Sequence, residues 1–408
     1  MKINFIKSLE FIISILLLFT CRTVYYHLSG HRQIILTILF VLLFFLNLMI
    51  IYKNRKTNKK NFMLILFACI YILFFLILNN SFKVIYLIQF GIFFELYIFF
   101  AFGKKNEWKN IFKYFTDIVF IIACCSLIFY IFGTVLNLLR YNNSLIIDWG
   151  GNKIINSYYY LYFETQSISF MGRNFIRNSA IFTEAPMYAL ILCLDLIFEI
   201  LINDKKNTFR QRIIEITLIS TFSTSGILIG IVLDILNILF NNKTRINTKK
   251  FITLFIMILL IPVIFEVSIN LVNEKMKSSS YSLRKDDFNA CIEAWKNNKI
   301  FGIGIGNEEE IEKYMNKLRK KNTGLSNSIM AVLAEGGIIL FIFYFLGPLI
   351  NIIKGLACKN FKLISINFII LSLFVFYIFQ FTPIAMLILA YSYFEAFNKG
   401  GQYSDKTQ

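Results

Sequence analysis

The sequence predicts an all-α integral membrane protein of about twelve transmembrane helices with two long loops on the outer face. Three observations lead there. Of the 408 residues, 57% are hydrophobic and 16% charged, where an average soluble domain carries about 25% charged residues. Apolar runs follow one another along nearly the whole chain, and a spanning helix needs about 20 such residues. The basic residues alternate between rich and poor loops, as they do in chains oriented by a membrane. Little chain remains for a soluble core, so a separate soluble enzyme domain is excluded and 1–408 reads as one polytopic domain.

In order, the apolar runs fall at 5–21, 34–52, 62–79, 84–102, 114–138, 181–202, 213–223, 225–240, 251–269, 326–353, 363–380 and 382–397. The first follows a short basic head, as in a signal peptide, but no small-residue cleavage site comes after it; it reads as an uncleaved first helix. The runs 213–223 and 225–240 are divided at Ser223, Thr224, Ser225 and Gly226, and a single helix over 213–240 is the rival. Parity decides between them. Twelve spans make 53–60, 104–113, 204–212, 241–250 and 354–362 cytoplasmic, and with both termini these hold 24 of the 42 Lys and Arg. Of the 18 outside, 11 lie in one long loop, and long segments obey the positive-inside rule only weakly. Merging the pair would put 241–250 outside and erase the asymmetry, so the break is favoured and both termini are cytoplasmic.

The net charge of +18 therefore marks topology and does not call for nucleic acid. The seven cysteines include Cys21, Cys69, Cys124, Cys125 and Cys193 in or beside apolar runs, with no CxxC. They form neither a disulfide framework nor a zinc site and read as small apolar residues. No internal repeat supports an inverted-repeat transporter.

Two outer loops, 139–179 and 270–324, are too long to be connectors, and loops of this length usually carry function. Three clusters lie in or beside them. In the first, Arg173 and Arg177 are four residues apart, so on a helix both guanidinium groups would project from one face as an anion clamp. Snorkelling to lipid headgroups is the plainer alternative. Glu184, at the entrance of the sixth span with Pro186, is costly in an apolar stretch unless paired or solvated. Arg177 is its expected partner, and the carboxylate reads either as a base for a sugar hydroxyl or as a fixed ion pair. The second cluster, 282–307, offers Arg284 for phosphate, Trp295 for stacking on a sugar, and Gly302, Gly304 and Gly306 for close backbone approach to a ligand. That GxGxG lacks the partners of a dinucleotide fold. Asp286 and Asp287 read as solvated surface, not a metal site. In the third cluster, 324–340, Ser326 and Asn327 open the tenth span, as an N-cap or as part of a helix N-terminus facing an anion. His27 and His31 have no third metal ligand and read as interfacial.

With these clusters in hand, the sequence resembles the bacterial O-antigen ligase and Wzy-type polysaccharide polymerase superfamily. The features are RNSAIFTEAP (177–186), FSTSG (222–226), SLRKDDFNACIEAWKNNKIFGIGIGN (282–307) and SNSIMAVLAEGG (326–337), in that order, over about 171–340. The resemblance implies an enzyme in the bacterial cytoplasmic membrane that moves a glycan from undecaprenyl pyrophosphate to an acceptor on the outer face, with no cofactor, metal or nucleotide. It implies that Arg173 or Arg177, together with Arg284, bind the pyrophosphate as it leaves. The implied partners are the undecaprenyl-pyrophosphate-linked oligosaccharide, the lipid bilayer, and a chain-length regulator and flippase of the same pathway, with no nucleic acid. Ligases commonly carry His where this chain has Ser326, so the polymerase is preferred to the ligase.

The chemistry fits without the family. Breaking a sugar–pyrophosphate bond develops negative charge on the leaving oxygen, which fixed guanidinium groups stabilise most in the transition state. A flippase would line a central cavity with charges from many spans, whereas here the polar residues gather in two loops. A metal-dependent glycosyltransferase would want acidic residues in the first outer loop, and none lies between Arg22 and Arg32.

Overall fold

The computed structural model describes residues 5–54, 59–81, 83–148, 152–170, 173–202, 208–240, 279–316 and 325–397. The predicted span 251–269 lies outside them. The helices are α1 (Phe5–Phe19), α2 (Val24–Leu28), α3 (Arg32–Asn54), α4 (Lys59–Leu78), α5 (Val84–Phe102), α6 (Lys105–Phe129), α7 (Ala185–Ile202), α8 (Thr208–Ser220) and α9 (Thr224–Phe240). They continue with α10 (Ser279–Asn297), α11 (Glu308–Glu312), α12 (Ser328–Ala357), α13 (Phe361–Phe376) and α14 (Pro383–Phe397). Among the described residues four helical segments are long and apolar enough to cross a membrane: Arg32–Asn54, Val84–Phe102, Glu107–Val135 and Ser328–Ala357. Met63–Leu78, Thr224–Leu236, Phe361–Phe376 and Pro383–Phe397 are shorter apolar helices.

The side-chain pattern explains the packing. On α3, Leu36, Leu39, Leu43, Leu46 and Ile50 recur at helical spacing and are buried, while Ile34, Ile38, Val41, Phe44 and Leu48 stay exposed. An apolar outer face of this kind suits lipid, not water. Helices α7, apart from Asp195 and Glu199, and α14, apart from Glu395, are apolar on every side and buried along most of their length, which places them at the centre of the bundle. α14 packs on α5 and α12, and α7 on α6 and α9.

The break predicted near Ser223 is present. α8 ends at Ser220 and α9 starts at Thr224, and a Cβ on Gly230 would lie 2.6 Å from a Leu218 methyl, so the two helices fold back closely on one another.

The loop 139–179 departs from an all-helical reading, because it folds into strands. β1 (Asn143–Asp148), β2 (Asn152–Tyr158) and β3 (Tyr162–Glu164) form an antiparallel sheet, with Leu145 opposite Ile155 and Ser157 opposite Phe163. β4 (Ser167–Phe170) and β5 (Arg173–Ile176) form a hairpin. Alternation along β1 and β2 buries Ile147 and Ile155 with Phe163 and Val24, which fastens the sheet to α2. The alternation is short and embedded in polar residues, so it does not show in a search for spans.

Candidate active site

The chain leaves β5 at Arg177 and docks on the turn between α8 and α9. The Arg177 backbone N–H donates to the Gln166 carbonyl (2.9 Å), and that of Asn178 donates to the Ser220 carbonyl (3.1 Å). Asn178 Nδ2 adds a bond to Ser220 Oγ (2.9 Å). Arg177 Nε then donates to the Thr221 carbonyl oxygen (2.8 Å) and Nη2 to that of Phe222 (3.4 Å). These carbonyls are available because a helix end leaves its last acceptors unpaired. The seat of Arg177 is thus the turn at Thr221 and Phe222, where FSTSG begins. Among the described residues the two bonds take two of its five N–H donors. Burial lowers the guanidinium to about 10, Glu184 opposes that shift, and the like charge of Arg284 adds to it. Arg177 stays charged at neutral pH.

Arg173 belongs to strand β5 and not to a helix. The helical spacing on which the expected clamp rests is absent: four residues of extended chain cover roughly 13 Å. The structure does bring Arg284 to Arg177, from α10 in the other long loop, close enough to repel it.

Glu184 directly precedes α7, and its carbonyl accepts from the Tyr188 N–H (3.2 Å). It sits half-buried at the helix mouth, not inside the span. Its charge is felt by Arg177, the expected partner, and also by Arg22 at the end of α1. Arg22 was outside every sequence cluster; the only signal for it is a cation at the end of an apolar run.

Tyr377 also lies outside the clusters. It is buried at the end of α13 and accepts a long bond from Ser225 Oγ (3.4 Å). Its carbonyl takes bonds from the N–H and Oγ of Ser328 (3.2 and 2.8 Å). One residue thereby joins the Arg177 seat to the start of α12. Nothing in the apolar run 363–380 distinguishes it.

Asn327 is the N-cap of α12, with its side chain accepting from Ile329 N and Met330 N. Ser326 adjoins it, half-buried. Trp295 is half-buried on α10, and its Nε1 donates to the Lys299 carbonyl (3.1 Å).

Gly302, Gly304 and Gly306 all have positive φ (72°, 103° and 72°). Their close approach is to the protein itself. Helix α12 is interrupted at Gly337 (φ 61°, ψ −161°), and the second loop fills the gap. Ile303 N donates to the Ala334 carbonyl and Gly304 N to that of Glu335 (both 3.0 Å), while Ile338 N donates back to the Lys299 carbonyl (3.0 Å). A Cβ on Gly302 would overlap the Glu335 carbonyl, and one on Gly306 the Tyr86 hydroxyl. Asn79, buried at the end of α4, seals the joint by donating to the carbonyls of Phe301 and Glu335 and accepting from Ile305 N.

The acidic pair departs from the surface expected of it. Asp287 is 4% exposed, and both carboxylate oxygens of Asp286 accept from Asn316 N (3.1 Å). They belong to the fold of the loop. Among the described residues no group of three or more His, Cys, Asp and Glu is placed to hold a metal. His27 instead contacts the Asp148 carbonyl and Arg32 through its two ring nitrogens (both 2.9 Å).

Residues 213–345 match the family model Wzy_C, O-Antigen ligase. The matched stretch runs from the Arg177 seat through Arg284, Trp295 and the glycine turn to α12, in keeping with the O-antigen ligase and polymerase superfamily. Arg22, Arg173, Arg177 and Glu184 precede it. No curated protein and no solved structure matches the chain.

Proposed function

We propose that this protein is a membrane glycosyltransferase that joins undecaprenyl-pyrophosphate-linked oligosaccharide units into a surface polysaccharide on the outer face of the bacterial cytoplasmic membrane. The observation that carries the proposal is the meeting of Arg177, seated on the α8–α9 turn, with Arg284 from the second loop. A hydrogen-bonded Arg177 guanidinium, with the exposed Arg284 near enough for its charge to be felt, suits a diphosphate on which charge develops. In this reading twelve spans cross the membrane and both termini are cytoplasmic.

The reaction balances without a cofactor. An acceptor hydroxyl oxygen attacks the anomeric carbon of the donor, and the new glycosidic C–O bond forms as the bond to the pyrophosphate oxygen breaks. The electron pair leaves with the diphosphate, beside Arg177 and Arg284. The hydroxyl proton passes to Glu184. Arg173, Trp295, Ser326 and Asn327 would line the route of the glycan and its carrier, and Gly302, Gly304 and Gly306 hold the loop that bears Arg284. A flippase delivering the donor and a chain-length regulator are the expected partners.

The second reading is a ligase that passes a finished glycan to another acceptor, and the description of the matched family favours it. Deleting the gene and sizing both surface polysaccharide and lipid-linked precursors separates the two. Single repeat units without a ladder support the polymerase. Normal-length polymer retained on the lipid carrier supports the ligase, and an unchanged profile contradicts both.

A further inference from the structure

Arg22 lies in the turn that follows α1, and its backbone is tied to the segment that carries Glu184. Val24 N donates to the Ile181 carbonyl (2.9 Å), and Thr183 N donates to the Arg22 carbonyl (3.0 Å). Between these bonds Thr23 and Phe182 form an antiparallel bridge. Thr183 Oγ1 adds a second bond to the Arg22 carbonyl (3.2 Å). This pairing sets Arg22 opposite Thr183, one residue from Glu184.

We propose that Arg22 is a third arginine of the anion site and binds the donor diphosphate together with Arg177 and Arg284. The proposal rests on the glycosyltransferase reading above. Three observations support it. Arg22 has φ 56°, a left-handed backbone that is strained for a residue with a side chain and concentrates at functional sites; here the three hydrogen bonds of the strip hold it. Glu184, beside which the backbone strip sets Arg22, is the charge its guanidinium feels most strongly, and Glu308 of the second loop is also felt. Charge also favours a further cation beside Arg177 and Arg284, because a diphosphate diester of a sugar and a polyprenol carries two negative charges. Without a third arginine, Glu184 would cancel half the charge offered by Arg177 and Arg284.

A purely structural Arg22, which only neutralises Glu184, makes a different prediction. The test is binding of undecaprenyl diphosphate and undecaprenyl monophosphate to the full-length protein in nanodiscs, for wild type, Arg22→Gln and Arg22→Lys. The wild type is expected to prefer the diphosphate. Arg22→Gln should weaken diphosphate binding about tenfold, the scale of one lost charge-assisted contact, and monophosphate binding much less, so that the preference collapses. Arg22→Lys should recover part of it, keeping the charge without the planar fork. Unchanged diphosphate binding by Arg22→Gln overturns the proposal. So does equal loss of both lipids, which marks a structural role. A wild type that binds neither lipid overturns the functional reading itself, and this proposal with it.

Discussion

Arg177 donates through Nε to the Thr221 carbonyl oxygen at 2.8 Å, across the turn that divides α8 from α9. A cation of one loop is thus oriented by the end of a helix in the next hairpin. The interaction needs the broken helix: an unbroken helix through 221 would spend that carbonyl on its own backbone.

Arg177→Ala should reduce glycan transfer roughly 10²-fold or more, the scale of losing one fixed donor to developing charge, with protein level in the membrane unchanged. Arg177→Lys should recover little, because an ammonium lacks the fork that reaches both the seat and a ligand. Transfer assays on membranes normalised to protein content check this. Full activity in Arg177→Lys would show that charge alone suffices.

Glu184→Gln keeps the shape of the side chain and its place before α7. If the carboxylate takes the acceptor proton, turnover should fall about 10²-fold or more, with binding of the lipid diphosphate retained or tightened because one negative charge is gone. Steady-state rates beside direct lipid binding separate these effects. A variant with wild-type turnover removes Glu184 from the proton step.

The glycine turn gives a stability prediction with an internal control. Gly302→Ala drives a Cβ into the Glu335 carbonyl, whereas Gly30→Ala, also at positive φ, meets nothing within 4 Å. Gly302→Ala should cost about 1–3 kcal/mol beyond the control, as overpacking in a close-packed joint does. Thermal midpoints in detergent read the difference, and equal midpoints would mean that the loop can leave the α12 break at no cost.

Asn327 is tested by its cap. Asn327→Ala removes the acceptor for Ile329 N and Met330 N and should cost about 1 kcal/mol, while Asn327→Ser, another good cap, restores most of it. If Asn327 also touches the glycan, Asn327→Ser will be stable yet slow. A Ser variant with normal stability and normal transfer limits Asn327 to capping.

How much of this was legible in the sequence differs from residue to residue. Helical spans such as α3 show plainly, because composition and 3.6-residue spacing are local properties. The break near Ser223 was reached through the count of Lys and Arg, and it lies where the α8–α9 turn is found. The strands of 139–179 were missed, since three to seven residues of alternation are weak beside long apolar runs. Arg173 was misplaced for the same reason, a strand having been read at helical spacing. The glycines were recognised as points of close approach, but what approaches them, the interrupted α12 near Gly337, is a contact over long sequence separation. Arg22 carries only the mark of a cation after an apolar run, and Tyr377 carries none. Their place beside Glu184 and Arg177 comes only from how the bundle ends meet.

The most direct test of the central claim is reconstitution. The purified full-length protein in liposomes, given a lipid-diphosphate-linked oligosaccharide as both donor and acceptor, should yield longer lipid-linked glycans and one freed lipid diphosphate for each linkage made. Arg177→Ala and Arg284→Ala proteins should yield neither. Failure of the wild type to lengthen the glycan or free the diphosphate, with donor and acceptor present and the protein folded, would contradict the account.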